Sequence, residues 1–439
     1  MRRSSRPTAS SGRRGRLAVD DSPPALANLT LGGLTPRRVV APANVAELAN
    51  VLRECDAAGE AVVVVGGATL QTLGHAPSRF DVALHTGNLA QVLEYEYRDL
   101  TIAVEAGMTV AAFDAQLAER NQFVPLDAPN AARGTIGGVL ASGWLGPRRA
   151  SYGRPRDFLI GTTIVLADGT VAKAGGMVVK NSTGYDLSRL YCGSLGTLGV
   201  LVRANFKTLP LPETRCVAMA TLPERTRRRT IEHVAGLDLE PAAALAISGF
   251  ADDIDGRDGL DGRIFLLFEG SRASTERAVR DVRSALGAAG VPETALFEAG
   301  AGTTFGRLCD AYLIRLGNRS VTYCSRGFTS DLVERSETIA RLARAENLQL
   351  ETIEDVRTGD VIARVSTPVS SQLAGRIAPF DATLVAELPR TLVLTAPEAL
   401  RGRLAMWGAP PSSLDTMRAI KARFDPNGTL APGRFVGGI

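Results

Sequence analysis

Glycine narrows the chemistry of this chain more than any other residue type, because it lets backbone approach a ligand closely or take positive φ. It recurs at 134, 137, 138, 143, 146 and 153, then at 184, 193, 196 and 199, within the single stretch from Gly134 to Leu201. A core helix has no use for so many. Backbone laid against a large, partly anionic cofactor does, although a loop-rich segment of tight turns would carry the same glycine content. Two local patterns favour the cofactor. Thr135 is a suitable N-cap for a helix that opens Ile136-Gly137-Gly138 and runs through Ala141 and Ser142. Free amides at such a helix start would suit a diphosphate. Upstream, Val62-Val63-Val64-Val65 reads as a buried strand that delivers Gly66, Gly67, Ala68 and Thr69 into a turn, a second cradle of exposed amides. Two cradles point to a dinucleotide. They do not make a nicotinamide fingerprint, since Gly193, Gly196 and Gly199 are spaced G-x-x-G-x-x-G and no G-x-G-x-x-G follows either strand.

The elements that must position these turns follow from periodicity and caps. Asn44 and Glu47 stand at capping-box spacing and predict a helix to about Ala58, stopped by Gly59. A short strand is expected over 81–84, and a hairpin over 93–105 turning at Arg98-Asp99. A second helix starts near Thr109 with Val110, Phe113 and Leu117 facing the core. Residues 162–167 and 170–174 read as a hairpin whose Asp168-Gly169 turn is of type I′. After a helix from Leu187 to Tyr191 and a strand from Val200 to Leu209, Pro210-Leu211-Pro212 marks a boundary. From about 213 to 400 short β runs alternate with amphipathic helices, including 273–287 and 329–346, which predicts an α+β unit around an antiparallel sheet. Gly249 to Gly262 reads as a solvent loop, because a calcium loop would need a terminal Glu that is missing. The last segment carries Trp407, a helix from Ser412 or Ser413 to Phe424, and Ala431-Pro432-Gly433-Arg434-Phe435.

Taken together, the strand-GGAT loop, the TIGG segment, Tyr152-Gly153 with Arg156-Asp157, the LADG hairpin, Lys180-Asn181 with Gly184-Tyr185-Asp186-Leu187, and Gly193-Ser194 with Gly196-Thr197-Leu198-Gly199 resemble the FAD domain of the vanillyl-alcohol oxidase (p-cresol methylhydroxylase) family. Within it, the GPRR, RDF, GYDLSRL and PGRF patterns look most like the FAD-binding subunits of bacterial glycolate oxidases. The resemblance covers roughly 32–212 and 400–439. It implies an α+β fold: a two-subdomain FAD-binding domain of the p-cresol methylhydroxylase type with an α+β cap domain. The expected boundaries are 1–30 for a disordered basic tail, 31–212 for the FAD-binding domain, 213–400 for the cap, and 401–439 for a segment returning to the FAD domain. Cofactor contacts are expected from Gly66, Gly67, Ala68, Thr69, Leu70, Pro129, Thr135, Gly137, Gly138, Ala141, Ser142, Tyr152, Gly153, Gly199 and Val200. Tyr152 and Gly153 would lie on the isoalloxazine side, and Gly199-Val200-Leu201 beside the adenine. Relatives that attach FAD covalently through the first loop place His after the two glycines, where this chain has Ala68, so the FAD is expected to be non-covalent. Most relatives have Asn where Ala431 stands, which removes any contact that Asn makes.

The implied reaction is oxidation of a small 2-hydroxy acid, glycolate to glyoxylate, which needs a base for the hydroxyl proton, a hydride acceptor and a cation for the carboxylate. Related dehydrogenases use a His- and Glu-rich C-terminal motif, and this chain has no His after 233. The catalytic residues are therefore left open. His75 and Arg315 are the candidates, each weighed against a plain loop histidine and an ordinary ion-paired arginine. Arg148, Arg149 and Arg156 could contact FAD, a partner subunit, or a surface acid. The expected partners are a second flavoprotein subunit of a glycolate oxidase-like complex and an iron–sulfur subunit. The competing expectations are a self-sufficient oxidoreductase and an assembly subunit with a vestigial flavin.

Composition sets outer bounds. The formal charge of +4 arises in residues 1–16, which hold six Arg and no acid; the remaining 44 basic and 46 acidic residues leave a body at −2. That balance excludes a nucleic-acid stripe. Five scattered cysteines (55, 192, 216, 309, 324) contain no C-x-x-C pair, arguing against a disulfide framework, a zinc site or an iron–sulfur cluster in this chain. Three histidines cannot build a His-rich metal site, so no metal is expected. The N-terminal run lacks an apolar stretch and does not read as a secretory signal. A cytoplasmic protein is expected, with any membrane association peripheral and through partners.

Overall fold

A computed structural model of the chain describes residues 29–178, 185–249, 262–291, 294–297, 301–311 and 319–439. The helix Val45–Ala58 forms as its caps dictate. The Asn44 side chain accepts from the Glu47 amide at 2.9 Å, the Glu47 carboxylate accepts from the Ala43 amide at 2.8 Å, and Gly59 ends the helix at φ 67°. Its buried face of Leu48, Leu52 and Cys55 packs on a three-stranded parallel sheet. In that sheet Val82–His85 lies between Arg38–Val40 and Val62–Val65. The all-valine strand is apolar along its whole length because both of its faces are covered.

A five-stranded antiparallel sheet follows, in the order Val92–Glu96, Thr101–Glu105, Val200–Lys207, Leu159–Val165, Val171–Gly175. The helices Val110–Ala118 and Ile136–Ser142 share its core, with the Phe113 and Phe206 ring centroids 5.3 Å apart. The Asp168-Gly169 turn differs from expectation. Only Gly169 has positive φ (79°), and the Asp168 carboxylate accepts from the Thr170 amide at 2.8 Å. Type I′ needs positive φ at both central residues. Here the local carboxylate–amide bond holds the aspartate in ordinary backbone geometry.

An eight-stranded antiparallel sheet occupies much of the remainder, in the order Thr294–Phe297, Thr214–Leu222, Gly262–Gly270, Ala243–Ser248, Gln349–Asp355, Val361–Ser366, Ser320–Ser325, Thr391–Thr395. Side chains alternate across it with a period of two. Val217, Met219, Leu245, Ile247, Phe265 and Leu267 join the core shared with the five-stranded sheet. Ala218, Ala220, Ala244, Ile264 and Leu266 face a second core under the helices Arg272–Ala288, Leu332–Ala345 and Ser370–Glu387. The C-terminal helix Leu414–Phe424 starts at Ser413, and Leu430 then makes a parallel bridge to Val62. No helix among the described residues is long and apolar enough to cross a membrane.

Candidate functional site

The strand Val62–Val65 ends in the turn at Gly66 and Gly67, and that turn is pressed against the start of the helix Ile136–Ser142. A Cβ on Gly66 would lie 2.2 Å from Thr135 Oγ1, and one on Gly67 would lie 1.8 Å from the Arg133 carbonyl oxygen. No side chain fits at either position, so these two glycines are required by the contact between the turns. The turns border one cleft that opens to solvent. Its lining includes Gly66, Gly67, Ala68, Thr69, Leu70, Thr135, Gly137, Gly138, Ala141, Ser142, Gly199 and Val200, all expected from the sequence. The loop 193–199 reaches the same cleft because the Gly193 and Leu195 amides donate to the Leu140 and Ala141 carbonyls, at 2.9 and 2.7 Å.

Amide supply differs from the sequence expectation. The helix start offers no free donors: Ile136 and Gly137 donate to the Met108 and Ala106 carbonyls at 2.9 and 2.7 Å, Gly138 to Thr135 Oγ1 at 3.2 Å, and Val139 to the Thr135 carbonyl at 3.0 Å. The Met108 and Ala106 carbonyls belong to the turn after Thr101–Glu105, which a reading of local spacing could not bring there. The first turn keeps its donors. Among the described residues, no hydrogen bond uses the amides of Gly66, Gly67, Ala68 or Thr69. Ala68 holds φ 57° and Leu195 φ 52°, left-handed conformations that L-residues keep only where surrounding structure enforces them.

Several expected residues lie elsewhere. Pro129, Tyr152 and Gly153 do not line the cleft. The Tyr152 hydroxyl donates to Glu269 Oε2 at 2.9 Å, and burial pushes that phenol well above its usual range. His75 is also outside the cleft. Its backbone amide donates to the Arg434 carbonyl at 3.0 Å, and burial, with Arg401 adding to it, lowers the imidazole pKa. Arg315 and the stretch from Lys180 to Gly184 lie outside the described residues, as does most of the Gly249–Gly262 segment. Arg148 and Arg149 are neither surface-paired nor in the cleft lining. Arg148 is clamped by Asp127 at 2.6 Å and Glu269 at 3.1 Å, and Arg149 by Asp360 at 2.7 Å, all inside the molecule. Arg156 is the exposed one, 3.9 Å from Asp157.

Sequence reasoning missed Val64, Gln71, Thr86, Leu195, Gly196 and Arg434 in the lining. Arg434 matters most. Only 3% exposed, it donates to Gln71 Oε1 at 2.6 Å, to the Gln71 carbonyl at 2.9 Å and to the Leu73 carbonyl at 3.0 Å. It is the one ionisable side chain among the described lining residues. The chemistry present is a run of free amides, a buried cation and an otherwise neutral, glycine-lined wall. Those groups fit a dinucleotide diphosphate with flat rings on either side. Ala68 presents only a methyl group to the cleft and offers no side-chain atom for a covalent flavin bond.

Comparison with known proteins agrees with that fit. Residues 36–175 match the FAD binding domain family. The glycolate oxidase subunit GlcD of Bacillus subtilis is 34% identical over 185 residues, which are 42% of this chain and 39% of that protein. The glycolate oxidase subunit GlcE of Escherichia coli is 33% identical over 199 residues, 45% of this chain and 52% of that protein. The chain thus spans about half the length of these relatives or less. The crystal structure of p-cresol methylhydroxylase with substrate bound shares the fold, with a TM-score of 0.73 at 16% identity, covering 93% of this chain and 91% of that one. The α+β architecture, the glycine-lined cleft and these matches converge: the chain binds FAD, carries an FAD binding domain over residues 36–175, and shares the fold of p-cresol methylhydroxylase.

Proposed function

We propose that this chain is the FAD-binding subunit of an oxidoreductase acting on a small 2-hydroxy acid, with glycolate as the substrate and glyoxylate as the product. Bound FAD would accept the hydride from the hydroxyl-bearing carbon and pass the electrons to an acceptor subunit, while the hydroxyl proton leaves to a base. The chain's own residues hold the cofactor: the amides of Gly66 to Thr69 and the Arg434 guanidinium serve its anionic centre, and the glycine-lined walls admit its rings. The likeness to two glycolate oxidase subunits carries the substrate class. The cleft wall favours the subunit reading over a self-sufficient enzyme. Its described side chains, Arg434 apart, are neutral, so the reading gives it the cofactor and places the proton-accepting base on a partner. Ala68 supports non-covalent attachment.

Purification from the native host tests this directly. The complex should bring down a second flavoprotein and an iron–sulfur protein, and glycolate should bleach its flavin anaerobically. Acid precipitation of this chain should release the flavin to the supernatant. A flavin that no 2-hydroxy acid reduces, in either the chain or the complex, would sink the reading.

A further inference from the structure

We infer that Arg434, seated by Gln71 and backed by Arg401, is the counter-charge of the FAD diphosphate. This rests on FAD binding and not on the hydroxy-acid reading. All three hydrogen bonds of the Arg434 side chain go to uncharged oxygens, those of Gln71 and Leu73. No carboxylate lies within ion-pair distance of it among the described residues, and its Nε has no acceptor. Arg401 adds a second guanidinium, only 1% exposed, which donates to the Gly74 carbonyl at 2.7 Å and also leaves its Nε without a partner. The pair shares one acid, Glu398, 3.4 Å from Arg401 and itself 38% exposed. Burial, with Arg401 adding its repulsion, brings the Arg434 guanidinium down to about 10.

Two buried cations with one half-exposed carboxylate leave a positive excess in a low-dielectric place, which is unfavourable until an anion joins it. The cleft states where that anion sits. Its free amides run from Gly66 to Thr69, and the backbone then reaches Gln71, the residue that holds Arg434. The helix start at Thr135 has no amide to spare. Arg434 therefore supplies the positive charge that the helix start does not. A diphosphate on the turn would take both kinds of donor, with the guanidinium bonds charge-assisted. A neutral flavin ring in the same place would leave the excess charge uncompensated.

Titration calorimetry on the full-length apo chain separates these cases with two probes. ADP carries the diphosphate without the flavin, and riboflavin carries the flavin without a phosphate. Arg434→Gln should weaken ADP by about tenfold or more, the loss expected for a hydrogen bond to a charged group, and leave riboflavin unchanged. It should also flatten the salt dependence of ADP binding. Unchanged ADP affinity, or an equal loss for riboflavin, overturns the assignment. Circular dichroism shows whether the variant folds. Should it not, Gln71→Ala and Arg434→Lys give the same reading: each must weaken ADP more than riboflavin, and equal effects on the two probes overturn it. Glycolate turnover is absent from every readout, so this result and the failure of the hydroxy-acid reading are distinguishable.

Discussion

At the cleft, a single methyl group distinguishes glycines that the fold needs from one that only lines the cavity. A Cβ on Gly67 would meet the Arg133 carbonyl oxygen at 1.8 Å, a backbone atom that cannot swing away. A Cβ on Gly138 would meet only Thr135 Oγ1 at 3.1 Å, yet Gly138 lines the cleft. Gly67→Ala should therefore lose about 1–3 kcal/mol of stability along with flavin retention, as overpacking does. Gly138→Ala should keep the fold, gaining up to about 1 kcal/mol in helix propensity, while weakening FAD. Urea denaturation and flavin content measured on both variants check this, and equal destabilisation by the two would refute it. Thr135 was legible as an N-cap because a cap is local. The loss of the helix-start amides to Ala106 and Met108 was not, since those acceptors sit on another element. Ala431 shows the same limit. Its φ of 43° explains an Asn there by tolerance of left-handed backbone, with no side-chain contact required.

Between elements, the two arginines of the GPRR motif join the FAD-binding part to the eight-stranded sheet. Arg148 pairs with Asp127 on its own side and with Glu269 on the strand Gly262–Gly270, and Arg215 reaches the same Glu269 at 2.6 Å. The Arg148 guanidinium also lies 4.8 Å from the Phe305 ring centroid. Burial alone would raise the Glu269 pKa, but Arg148 and Arg215 outweigh it and hold the carboxylate below its usual range. Removing that carboxylate takes the acid from the partly exposed Arg215 and leaves the buried Arg148 with Asp127 alone. Glu269→Leu should cost about 3–5 kcal/mol in chemical denaturation, the usual penalty for breaking a buried pair from one side. Arg228→Ala, which removes an exposed pair with Glu337, is the control and should change little. A Glu269 variant as mild as the control would show that the network contributes no net stability. The helices were legible from period and caps, and the motif from its family resemblance. The acids that receive these arginines were not, because pairing across sheets has no signature in local spacing.

For the molecule as a whole, the last segment of the chain fastens the parts of the glycine-lined cleft together. Leu430 bridges to Val62, the strand that ends in the first turn. The Lys421 ammonium donates to the Thr197 carbonyl of the second glycine loop and to the Leu430 carbonyl, both at 2.8 Å, and pairs with Asp425. Asp425 in turn accepts from the Thr429 and Leu430 amides at 2.9 and 2.8 Å, and Arg434 grips the Gln71–Leu73 turn. Residues 36–175 thus match the FAD binding domain family, while the cleft is completed by residues 195–201 and by Arg434. Lys421→Met would remove the tie between the C-terminal helix and the second loop without touching the eight-stranded sheet. The variant should release flavin faster on dilution and become cleavable within the C-terminal segment under limited proteolysis. Added FAD should restore protection, because a ligand that binds only the closed arrangement stabilises it by mass action. If the variant keeps wild-type flavin release and protease resistance, the segment is merely packed against the site and plays no part in holding the cofactor.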